Sequence, residues 1–167
     1  MGPTEIGGLP AHILIVHVVI VMVPLAALLT VLSAAWPAAR RKLGILTLIA
    51  ALAALISVPL ATHAGEWLKA RVGATPLVER HADLADGLLP WVIGLFVVAA
   101  GQWAYHRFYA NAPAASRRGA GTAITVTIAA LAVIASVGAV VEVYRIGESG
   151  SKAVWTGSFS ADPKSGS

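Results

Sequence analysis

No cysteine occurs anywhere in the chain, which excludes disulfides, thiolate metal sites, iron–sulfur clusters and covalently attached c-type haem. A metal would have to use imidazole, carboxylate or backbone ligands. Charge is nearly as scarce. Of 167 residues, 12% are charged and 57% are hydrophobic, a balance well outside that of a soluble domain of this length. The scarcity is patterned: no Asp, Glu, Lys or Arg falls within residues 6–39, 43–65, 87–106 or 119–141. Each gap is long enough for a helix of about 20 apolar residues that crosses a bilayer.

The expected fold is therefore all-α, an integral membrane four-helix bundle with spans at about 11–36, 43–62, 88–109 and 122–144. Residues 1–146 form the membrane domain. Residues 147–167, rich in Gly, Ser and Lys, read as a flexible tail, with Trp155 and Phe159 as interfacial contacts. The first apolar run is too long for a cleaved leader and reads as a retained helix. Arg40, Arg41 and Lys42 follow the first span, and Arg107, Arg117 and Arg118 follow the third. These connections are expected on the cytoplasmic side of a cytoplasmic membrane, with both termini outside.

The outer connection between spans two and three, residues 63–87, is expected to be structured as two short amphipathic pieces separated by a break at 73–76, with a bend near Pro90. At 100° per residue, Glu79, Asp83 and Asp86 share one face of the second piece. His81 lies opposite with Leu77, Leu84, Ala85 and Leu88. Small residues in span four (Ala132, Ala135, Ser136, Gly138, Ala139) and span two (Ala50, Ala51, Ala53, Ala54) let helices approach closely, inside one monomer or across a homodimer.

The chemistry worth weighing rests on histidine. His12, His17, His63 and His81 all fall toward the outer side, and His106 at the inner end of span three reads as part of an interface belt. His17 lies about two turns inside an apolar span, where an ionisable group either serves a site or is a neutral ring bonded to a carbonyl. His12 is five residues away, about 140° round the helix, so the two do not chelate from one face. His81 is the best oriented partner for His17. His63 either joins them or pairs with Glu66.

Two imidazoles on facing helices inside an apolar sleeve suit haem b. Three or four of these histidines with Glu66 suit copper, zinc or iron. Glu142 either pairs with Arg145 three residues on or helps to orient an imidazole. The chain has no phosphate-cradling glycine loop, nucleophile elbow or zinc-protease motif. Nor does it carry a basic surface with stacking aromatics for nucleic acid.

The stretches Leu9-Pro10-Ala11-His12-Ile13-Leu14-Ile15-Val16-His17, Val78-Glu79-Arg80-His81-Ala82-Asp83-Leu84 and Val143-Tyr144-Arg145-Ile146-Gly147 resemble a widespread bacterial group of small four-helix membrane proteins catalogued as a domain of unknown function. The resemblance covers most of the chain and implies four spans and a haem or metal role. Members of that group often carry a further histidine near the position held here by Ile146. The expectation is thus a bundle in which His17 and His81, assisted by His12 and His63, hold haem b or a metal and relay electrons. The alternative is a non-catalytic accessory subunit of a larger membrane complex.

Overall fold

In hydrocarbon each backbone N–H and C=O must find its partner within the protein, which leaves the apolar stretches of this chain only the helix. The computed structural model describes residues 3–109 and 120–158; Arg117, Arg118 and Phe159 lie outside them. A two-residue hairpin pairs β1 (Glu5–Ile6) with β2 (Leu9–Pro10). Gly7 and Gly8 both take positive φ in the turn, as a tight hairpin requires. Five helices follow: α1 (Ala11–Ala35), α2 (Pro37–Val72), α3 (Pro76–Asp86), α4 (Leu88–Ala104), which continues into a π-helical turn over Tyr105–Tyr109, and α5 (Ala120–Trp155).

Four of these segments are long and apolar enough to cross a membrane. They pack as a ring in which α1 touches α2 and α5, and α4 closes the other side against the same two helices. The short α3 lies mainly against α5. Polarity runs opposite to that of a soluble bundle. The inside is built from small residues, among them Ala26, Ala27, Ala50, Ala51, Ala54, Ala135 and Ala139, whereas Ile20, Val21, Leu28, Ile49, Val97 and Val126 face outward. Small side chains allow close approach where lipid removes the hydrophobic drive between helices. Ser136 Oγ donates to the Ala27 carbonyl (3.1 Å), and Ser33 and Thr47 hydroxyls meet at 3.0 Å, adding polar links between α5, α1 and α2. The buried stripe Ala132, Ala135, Ser136 and Ala139 is thereby used within one chain.

Four expected boundaries move. The basic connection after span one shrinks to Trp36, whose extended backbone is what Pro37 imposes on the residue before it, and Pro37 then opens α2 at a position where its missing N–H costs nothing. Arg40, Arg41 and Lys42 consequently lie in the opening turns of a helix. The first amphipathic piece of the outer connection is no separate element, because α2 continues past Pro59 as far as Gly73, whose positive φ ends it. At 36 residues α2 is about 54 Å long, more than the hydrocarbon core requires.

Near Pro90, where the sequence predicts a bend, the break falls at Gly87, which separates α3 from α4 while keeping helical backbone angles. Pro90 has no N–H to offer the Asp86 carbonyl, so the helical ladder is interrupted just before it. Finally, α5 runs to Trp155, so residues 147–155 are helix and not the start of a tail. Gly147 and Gly150 do not end it, because α3 packs along this stretch and Lys152 pairs with Glu148 one turn back at 2.6 Å.

Gly138 faces the Trp91 ring so closely that a Cβ there would lie 2.0 Å from the nearest ring carbon. Gly138→Ala should therefore destabilise the bundle by about 1–3 kcal/mol, read as a lower unfolding temperature in detergent. Trp91→Leu in the same background should restore most of the loss, and a Gly138→Ala protein as stable as the parent would contradict this packing.

Candidate functional site

The hairpin folds over the start of α1, with the Ala11 N–H donating to the Thr4 carbonyl at 2.9 Å and Ala11 fully buried. This anchoring fixes the first turn, and with it His12. The His12 Nδ1–H donates to the Ala61 carbonyl on α2 at 2.9 Å. Its ring rests against Gly65, where an added Cβ would come within 3.0 Å of Nδ1.

His81 is presented from α3. Thr75 caps that helix by accepting from the Val78 N–H (3.3 Å), and Pro76 occupies the first helical position. The faces divide as their spacing predicts, with Glu79, Asp83 and Asp86 exposed and His81 half-buried among Leu77, Val78, Leu84 and Ala85. The His81 Nδ1–H is shared between the Ile146 carbonyl (3.1 Å) and Ser149 Oγ (3.0 Å) on α5, and Ser149 Oγ itself donates to the same carbonyl at 2.8 Å. Gly150 supplies the space for this ring, since a Cβ there would meet Cε1 at 3.0 Å.

The two imidazoles thus belong to α1 and α3, are pinned to α2 and α5, and meet edge to face with centroids 6.3 Å apart and planes at 81°. A carbonyl partner requires the hydrogen to be on Nδ1, so each ring keeps an Nε2 lone pair for a ligand. Both rings line a cavity of about 740 Å³. Its walls are largely aliphatic, including Val16, Val58, Leu88 and Val143, with Glu66 and Lys69 among the few charged side chains.

The other expected participants lie elsewhere. His17 is exposed on the outer surface of α1 and donates its Nδ1–H to the Ile13 carbonyl of its own helix (2.6 Å). It does not share a volume with His81; the 140° step from His12 that separates the two rings puts one inside and the other outside. His63 is likewise exposed. Glu66 borders the cavity but is exposed, and among the described residues no group of three or more His, Asp or Glu is placed to hold a metal ion.

Glu142 is buried and paired with Arg145 at 3.0 Å. It lies beside Gly87 and does not orient His81, which is held one turn and two turns further along α5 by Ile146 and Ser149. Sequence reasoning missed Gly65, Gly150 and Ser149. Its usable signal was a glycine interrupting an otherwise helical pattern, which marks a close approach.

The absence of native cysteine allows a direct check of proximity. His12→Cys/His81→Cys should give an α1–α3 crosslinked peptide with a short bismaleimide, detected by mass spectrometry after proteolysis. His17→Cys/His81→Cys should give little or none, and equal yields would contradict the placement of His17.

No curated protein and no solved structure matches this chain. A family model does, described as "Predicted membrane protein (DUF2231)" and covering residues 8–163. That span takes in the second hairpin strand, all five helices and both imidazoles of the cavity, and the chain belongs to this family of membrane proteins of unknown function.

Proposed function

We propose that the chain is a membrane protein that holds haem b between His12 and His81 and relays electrons. The observation that carries the reading is the pair of adjacent imidazoles, each with Nδ1 fixed by a carbonyl and Nε2 left as a donor, at the edge of a large apolar cavity. Outward hydrogen bonds of this kind fix the tautomer and raise the basicity of ligating histidines.

A bare copper, zinc or iron ion would need further protein ligands, whereas haem would bring ring nitrogens of its own to its iron, and His12 and His81 would hold it. The donor set and the aliphatic volume both favour haem over an isolated ion. When bound, haem supplies one-electron chemistry. Gly65 and Gly150 clear space for the rings, the hairpin fixes the first turn of α1, and the aliphatic walls limit water. Orientation follows the same reading. Arg40, Arg41 and Lys42 mark the cytoplasmic end, and the cavity opens toward the outer leaflet.

A second reading, an accessory subunit of a larger membrane complex, draws on His17, an ionisable side chain exposed on an apolar span where lipid alone would be a poor neighbour.

Titrating the purified protein with haem should give a Soret band that shifts on reduction. His12→Ala and His81→Ala should each lower haem affinity at least about tenfold, the loss of one axial bond, whereas His17→Ala and His63→Ala should retain it. Haem binding by the His12→Ala/His81→Ala double variant would overturn the assignment. A protein that binds no haem but co-purifies with a partner lost in His17→Ala would favour the accessory subunit.

A further inference from the structure

The opposite end of the bundle carries a second constellation, independent of the histidine cavity. Gln102 on α4 is 2% exposed, and among the described residues neither its amide nitrogen nor its amide oxygen has a hydrogen-bond partner. An unmet amide inside a membrane bundle is costly, and such groups call for a specific partner. Gln102 lines a cavity of about 500 Å³ together with Arg40, Arg41, Lys42, His106 and Arg107, and among the described residues no carboxylate contributes to that lining.

The cations are not all loose. The Arg40 guanidinium is fixed by donating from Nε to the Ser33 carbonyl (2.8 Å), from Nη2 to the Ala34 carbonyl (2.9 Å) and from Nη1 to His106 Nδ1 (3.3 Å). Pro37 also borders the cavity, which therefore abuts the N-terminus of α2. That terminus has no side-chain cap and no acid in its first turn, so its N–H dipoles add positive potential.

We infer that this cavity binds a phosphate group that carries a hydroxyl. The cations and the helix terminus take the charge, the Gln102 amide nitrogen donates to a phosphate oxygen, and the Gln102 amide oxygen accepts from the ligand's hydroxyl. Basic pockets between membrane helices at the interface are suited to anionic headgroups. Phosphatidylglycerol and free hydrogen phosphate share the required chemistry. Phosphatidylcholine and sulfate lack the hydroxyl.

The test is the thermal shift of the full-length, delipidated protein in detergent with inorganic phosphate, sulfate, short-chain phosphatidylglycerol or short-chain phosphatidylcholine. Saturable stabilisation by phosphate or by phosphatidylglycerol is expected, with sulfate and phosphatidylcholine weaker by about tenfold or more, as loss of a hydrogen bond in a charged site implies. A response to phosphatidylglycerol that phosphate does not displace identifies a lipid site; displacement identifies a free-anion site. Gln102→Leu should unfold at a higher temperature without ligand, because the orphaned amide is gone, yet respond about tenfold more weakly to ligand. Arg41→Ala/Lys42→Ala, at exposed positions, should weaken binding without altering the fold. No saturable response to either phosphate compound, equal responses to sulfate and phosphate, or unchanged affinity in either variant would overturn the inference.

Discussion

Backbone hydrogen-bond satisfaction in a medium without water is the constraint from which this structure follows. It makes helices of every apolar stretch, and it carries α2 and α5 well past the hydrocarbon core: α2 continues through Pro59 to Val72, and α5 runs to Trp155. It also governs the side chains. A neutral imidazole placed among apolar groups must give its N–H to some acceptor, and His12, His17 and His81 each give theirs to a helix carbonyl. What differs is whose carbonyl. His17 uses its own helix and stays outside, while His12 and His81 reach neighbouring helices and so tie the bundle together.

Those cross-helix bonds make the apolar cavity and the imidazole pair parts of one arrangement. Gly65 and Gly150 lie under the two rings, and an added methyl at either would force an imidazole to move. Glycine within a helix costs about 1 kcal/mol relative to alanine. At these two positions it gives room for a ring that fixes one helix against another.

The ends of the bundle are chemically unlike. One presents two imidazoles at the edge of aliphatic walls. The other presents a concentration of cations around a buried amide with no partner. Between them the interior is mainly alanine, with valine, leucine, serine and threonine, packed closely. Such a centre separates the two ends electrically and holds both in register, since α1 and α2 contribute to each cavity.

Charge gaps and run lengths alone determined four spans and an all-α bundle, because a bilayer imposes a length and a polarity that any sequence must display. The amphipathic pattern of α3 likewise placed His81 inward before any tertiary contact was known, and the five-residue spacing of His12 and His17 required that they face apart. Which of those two points inward depends on how α1 is rotated against α2 and α5. Along α1 large apolar residues occupy every side, so no polar face marks the rotation. Only the packed structure decided it: small residues set the close faces, the hairpin fixed the first turn, and His12 took the inner position expected of His17. The cluster around Gln102 was equally beyond reading in one dimension, since an amide in an apolar run is ordinary until its neighbours fail to bond it.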